Sequence, residues 1–235
     1  MKIKLISTAL IALMFGSCAF MNKQADLAYQ AQAKILTVDM SSPQVEAGKT
    51  EAQFDNPVPG AKLRKTDVEI IYFPLEDAAC LKYRIDGYTF YQFWDRNGRE
   101  TLIKAVENYN NDFETKKLMK NKSRITRNIY GIEQGYLVWQ GMKFSVQAKG
   151  NMSMELGYYF RKKAPFFAVT QGDVFFESIL LSKNKTNSGE RLIFFTKAQA
   201  AEIAAAFDQG HLRSLAPHLE PIPKAEIKPV DFDQY

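Results

Sequence analysis

The sequence has 235 residues, of which 46% are hydrophobic and 24% charged, a balance ordinary for a globular protein. That length suffices for one large domain or two small ones. The formal charge of +5 is mild, so composition gives no ground for a nucleic-acid binder.

The first eighteen residues read MKIKLISTALIALMFGSC. Lys2 and Lys4 make a short positive stretch, and Leu5 to Phe15 follow without a charge. A membrane-spanning helix takes roughly 20 apolar residues, so this run is too short to span and has the length of a signal-peptide core. Gly16 and Ser17 supply the small residues expected before a cleavage site. The segment Phe15-Gly16-Ser17-Cys18 resembles the lipobox of bacterial lipoproteins, with Phe15 where that family usually has Leu. The resemblance implies that residues 1–17 are a cleaved signal peptide and that the Cys18 thiol carries fatty-acyl chains such as palmitate. Two or more chains anchor stably where one binds only marginally. It also implies a place in the cell envelope. Ala19 stands where an Asp would imply inner-membrane retention, which favours the outer membrane, on its periplasmic or surface face. Loss of Lys2 and Lys4 with the signal lowers the formal charge from +5 to +3. With Cys18 acylated, Cys80 has no disulfide partner, and within Ala78-Ala79-Cys80-Leu81 it reads as a small buried hydrophobe.

Residues 18–66 are polar, with Pro43, Pro57, Pro59 and Gly60, and offer little apolar surface. They are expected to form a flexible tether. The character changes at Val68. Val68–Phe73 and Ala79–Ile85 read as strands, and Asp86-Gly87 is a two-residue hairpin signal leading into a third strand, Tyr88–Trp94. Asn97-Gly98-Arg99-Glu100 has the spacing of a capping box. The helix expected after it runs to about Leu118, with Leu102, Ile103, Val106, Tyr109 and Phe113 forming one apolar stripe.

Further strands are expected over 125–132, 136–147 and 152–160, with a turn at Gly150-Asn151. The strict alternation from Met152 to Phe160 is the clearest strand pattern in the chain. Strands over 166–170, 174–182 and 192–195 complete the set, with a polar loop over 183–190. A second capping-box pattern, Thr196 to Gln199, opens an Ala-rich helix to Asp208, with Gly210 in the place of a C′ glycine. The expected layout is a single domain over 67–215 and an extended Pro-containing tail over 216–235. The fold class is α+β: an antiparallel sheet of about seven strands with two packed helices. The pattern leaves open whether that sheet curves or closes partly into a barrel.

No nucleophile elbow, zinc-binding helix motif, CxxC pair or phosphate loop occurs in the sequence. No catalytic residue, metal ligand or cofactor is therefore assigned. His211 and His218 have no acidic or cysteine neighbour at a ligand spacing, and His211 reads as a helix C-terminal group. The adjacent acids Glu76 and Asp77 read as a solvated turn. The most unusual charge feature is Lys116, Lys117, Lys120, Lys122, Arg124 and Arg127, six cations in twelve residues with no acid among them. Arg161-Lys162-Lys163 offers a second cluster. Such runs suit an anionic lipid or polysaccharide, or the solvated end of a helix.

The expected function is that of a lipid-anchored envelope protein, non-enzymatic, with a ligand-binding, protein-binding or structural role. Its partners would be the membrane through the anchor and an envelope protein, anionic lipid or polysaccharide; nucleic acid is disfavoured. The alternative is a hydrolase-like envelope enzyme with a site assembled from dispersed residues.

Overall fold

The structure is a computed structural model that describes residues 38–55, 62–120, 129–141, 147–177, 185–187 and 189–219. In chain order these form β1 (Val45–Phe54), β2 (Arg64–Phe73), β3 (Ala78–Ile85), β4 (Tyr88–Trp94), α1 (Arg96–Glu114), β5 (Gly131–Gln140), β6 (Gln147–Arg161), β7 (Ala164–Gln171), β8 (Phe175–Glu177), β9 (Lys185–Asn187), β10 (Arg191–Phe195), α2 (Lys197–Phe207) and α3 (Gln209–Leu215). Eight antiparallel strands close into a barrel in the order β1-β10-β7-β6-β5-β4-β3-β2, and β8 with β9 forms a separate two-stranded ribbon. The α+β antiparallel character stands as expected. The sheet has eight strands rather than about seven, and it closes.

The extra strand comes from the stretch expected to be tether. Val45–Phe54 pairs along β2 and reaches β10 through Gln53↔Phe194 and Phe54↔Ile193. Its own sequence is too polar to signal a strand, and tertiary pairing supplies what propensity does not. The seam to β10 is only those two pairs long. Towards its start β1 leaves β10, and helices cover the exposed edge. Thr50 Oγ1 donates to Glu202 at 2.6 Å, and the His211 ring nitrogen Nε2 lies 3.0 Å from the Ala47 carbonyl, which requires that nitrogen to be the protonated one. A Cβ on Gly48 would sit 3.4 Å from Ala206 Cβ, so the helix packs close against the strand. Covering an open edge in this way removes a site of unwanted strand pairing.

The barrel has two unlike ends. The β1–β2, β3–β4, β5–β6 and β7–β10 connections share the loop end. The β2–β3 and β6–β7 turns, helix α1 and the start of α2 share the helix end. Inward residues alternate along each strand and merge with α1 and α2 into one core, including Ile70, Leu81, Trp94, Leu102, Tyr109 and Phe207. The opposite face of β2 to β5 is also apolar. Ile71, Phe73, Cys80, Phe93, Tyr136 and Val138 form a second cluster, covered by Val38 and Met40 as the described chain begins. Burial pushes the Cys80 thiol well above its ordinary pKa.

Several boundaries differ from expectation. Asp95, not Asn97, caps α1, its side chain accepting from the Gly98 amide at 2.8 Å. The carboxylate follows directly from β4 and meets the positive helix end. Gly150 and Asn151 lie inside β6, paired with Leu137 and Tyr136, because long-range pairing with β5 overrides a local turn preference. Lys185–Asn187, expected in a loop, pairs with β8. The expected strand over 125–132 and the distal part of that over 174–182 fall largely outside the described residues, as do the tail from 220 and all of residues 1–37. Helix α2 ends at Phe207 rather than at Gly210. Asp208 ends that helix and caps the next, accepting from the His211 amide at 2.8 Å, so Gly210 is helical and His211 sits in a first turn.

Candidate functional site

Three places concentrate polar chemistry among the described residues. The first is a buried charge cluster at the helix end. Arg99, 1% exposed, donates to the Asp77 carboxylate at 2.8 Å and to the Asp77 carbonyl at 2.6 Å. It also donates to Gln209 Oε1 at 2.6 Å. Arg96 Nε reaches the second Asp77 oxygen at 2.7 Å. Burial alone would raise the Asp77 pKa, yet the two guanidiniums, Arg99 first, outweigh it and hold the carboxyl below its ordinary value. Asp77 is thus buried, contrary to the solvated turn expected for Glu76 and Asp77. It adopts φ +49°, a left-handed conformation that Asp tolerates. The short contacts of this cluster tie the β2–β3 turn to α1 and α1 to α3, so it clamps the helix end.

The second place is a layer across the lumen. β3 and β7 stand four places apart in the ring of eight, and so do β4 and β10. Tyr83 of β3 donates across to Gln171 Oε1 of β7 at 2.8 Å. The Arg191 guanidinium of β10 lies 4.4 Å from the Phe90 ring of β4, and Tyr83 stacks on Phe90 at 5.4 Å. Burial keeps the Tyr83 phenol protonated far above neutrality. Among the described residues, the Gln171 Nε2 and both polar atoms of the Gln92 amide find no partner. Such atoms cost about 1–3 kcal/mol each when left unpaired. The layer is nonetheless filled. Phe90, Gln92, Leu137, Met154 and Gln171 are at most 1% exposed, which leaves no water-sized gap against them. An eight-stranded barrel is just wide enough for side chains to fill it, and in this layer they do.

The third place is the surface beside the α1 C-terminus. Helix α1 closes with the Lys116 amide bonded to the Phe113 carbonyl at 3.2 Å and the Lys117 amide to the Asp112 carbonyl at 2.8 Å. This is the two-bond Schellman closure, whose C′ residue is left-handed and usually Gly. Here it is Lys116, at φ +56°. Tyr158 of β6 then fixes the next segment, accepting from the Met119 amide at 3.2 Å and bonding its carbonyl at 3.3 Å. Tyr109 donates to the Pro165 carbonyl at 3.1 Å and brings α1 to the start of β7. The β6–β7 turn is the exposed pair Lys162-Lys163, and Lys162 again has a positive φ, +58°. Phe113 and Met119 are exposed large apolar side chains in this region, and Ile129 is a third beside Tyr130. Phe113 was expected to be buried in the apolar stripe of α1. It lies in the last turn, past the reach of the barrel core, with its ring against Tyr109 and Lys197.

Lys116, Lys117 and Lys120 are therefore exposed, as their sequence pattern allows. Lys122, Arg124 and Arg127 lie outside the described residues, as does Cys18. Arg161 is half-buried, paired with Asp55 and lying over the Tyr159 and Phe194 rings, so it stands apart from the exposed lysines. His218 is exposed and His211 is committed to Ala47. Among the described residues no group of three or more His, Cys, Asp or Glu is placed to hold a metal ion. No helix among them is long and apolar enough to cross a membrane.

A closed eight-strand meander barrel, stoppered at one end by helices and bearing a lysine-rich, apolar-studded surface beside the stopper, defines the architecture. The family described as an uncharacterised Treponema protein matches residues 39–214, well over half of the chain, and the chain belongs to that family. No curated protein and no solved structure matches it.

Proposed function

We propose that this is a lipid-anchored, non-enzymatic envelope protein whose barrel domain binds an anionic partner through the surface formed by Lys116, Lys117, Lys120, Lys162 and Lys163. The observation that carries this reading is the convergence of two lysine clusters, remote in sequence, on one end of a barrel. The nearby acid Glu114 is already engaged by Lys197 at 2.6 Å. Two of the lysines, Lys116 and Lys162, occupy left-handed positions where Gly would be more stable. Each of these lysines therefore holds its charge at a local cost in stability. The side chains that fill this layer of the lumen favour a surface role over a small-molecule site enclosed there. The envelope setting rests on the lipobox-like segment ending in Cys18.

Two measurements test the reading. Metabolic labelling with a fatty acid should mark the wild-type chain and not Cys18→Ala; equal labelling would remove the anchor. Binding to an immobilised anionic polymer should weaken with salt. It should also weaken when Lys116, Lys117 and Lys120 are replaced by Gln. Unchanged binding would remove the patch.

A further inference from the structure

The chain enters the described domain at the end that carries the patch. The described chain begins at Val38, and Val38 and Met40 pack on the outer face of β2 to β5 beside Phe73 and Cys80. Those residues adjoin the β2–β3 turn, to which Ser42 is tied by its hydroxyl bond to Glu76 at 2.5 Å. That turn lies at the helix end, as do the α1 C-terminus and the Lys162-Lys163 turn. Cys18 lies twenty residues before Val38, so even a fully extended chain puts the anchor within about 70 Å of it.

We infer that the anionic partner is the bilayer that holds the anchor, and that the domain docks helix end down on anionic headgroups. This rests on the reading that Cys18 is acylated and that the lysine surface takes anions. The chemistry of the surface selects lipid over a soluble polyanion. A polysaccharide needs only charge and hydrogen bonds, whereas Phe113 and Met119 present exposed apolar side chains among the lysines, the pairing that seats a surface in the headgroup and acyl boundary. Tyr158 and Tyr109 supply the rigid support behind it. Tethering raises the effective concentration of the membrane, so a patch too weak to hold a free protein suffices for an anchored one. Docking in this sense turns the β1–β2, β3–β4 and β7–β10 connections away from the membrane.

The test uses the full mature chain carrying Cys18→Ala, so that the patch acts without the anchor. It should co-sediment with phosphatidylcholine vesicles containing phosphatidylglycerol, and not with phosphatidylcholine alone. Each lysine near an anionic surface contributes about fivefold in affinity, so Lys116→Gly with Lys162→Gly should weaken binding about 25-fold. The same pair should raise the melting temperature, since each Gly relieves a left-handed backbone; a binding loss in a more stable protein is not a folding defect. Phe113→Ser with Met119→Ser should weaken vesicle binding and leave binding to heparin, a soluble polyanion, unchanged. Equal binding to both vesicle types would overturn the inference, and so would a vesicle affinity indifferent to the apolar pair. Binding to heparin but not to vesicles would overturn membrane docking while sparing the anionic patch. Failure of fatty-acid labelling in the wild type would instead remove the anchor on which docking depends.

Discussion

Replacing Arg99 by Ala probes the buried clamp at the helix end. The guanidinium is 1% exposed and makes short bonds to the Asp77 carboxylate, the Asp77 carbonyl and Gln209. Its removal leaves Asp77 buried with Arg96 as its one remaining cation among the described residues. Breaking a buried pair from one side costs about 3–5 kcal/mol. For a domain of this size each kcal/mol lowers the melting temperature by about 2–4 °C, so a drop of about 6–20 °C is expected. Thermal unfolding followed by circular dichroism measures it. The double variant Arg99→Met with Asp77→Asn should recover much of the loss, because it leaves no buried uncompensated charge, Arg96 being partly exposed to solvent. The pH dependence follows from the lowered Asp77 pKa. Unfolded Asp titrates near 3.9. The clamp therefore stabilises fully above that value and is lost as pH falls through the lower folded value. In Arg99→Ala this acid dependence should shrink or reverse, since burial then pushes the Asp77 carboxyl up with one cation fewer against it. A drop below about 1 kcal/mol together with an unchanged acid profile would refute the clamp.

Tyr83→Phe removes the bond the Gln171 side chain makes across the lumen and should cost about 1–3 kcal/mol in urea unfolding; adding Gln171→Leu should return most of it, and additive losses would contradict the bracing role. Gly135→Ala places a Cβ 2.8 Å from the Phe93 carbonyl and 2.4 Å from Met154 Cε. Because the carbonyl cannot move as a side chain can, the substitution should destabilise by about 1–3 kcal/mol. A neutral outcome in the same assay would mean that β4 and β5 part more easily than their pairing suggests.

Much of this protein was legible from local pattern. An apolar run marked the strand from Val68 to Phe73, alternation marked that from Met152 to Phe160, and Asp86-Gly87 named the β3–β4 turn, where both residues have positive φ. The 3.6-residue period and the Thr196 capping box located α1 and α2. These signals survive because each depends on neighbours within a few residues. The Lys116 to Lys120 cluster was visible for the same reason, charge being a property of the chain itself.

What required the tertiary structure is everything set by residues far apart in sequence. Val45–Phe54 became a strand because β2 and β10 offered it unpaired backbone, not because its own residues favour one. Asp77 became buried because Arg96, Arg99 and Gln209 surround it. Phe113 stayed exposed because the helix outruns the core. Barrel closure, and with it the placement of Lys162-Lys163 and the Val38 entry at the end that carries the α1 lysines, follows from pairing eight strands in one ring. Sequence alone determined the lipobox-like segment ending in Cys18 and the lysine runs, because periodicity and composition act locally. Only the fold decided that Lys116, Lys117 and Lys120 share an end of the barrel with Lys162 and Lys163, because that depends on pairing between strands far apart in the chain.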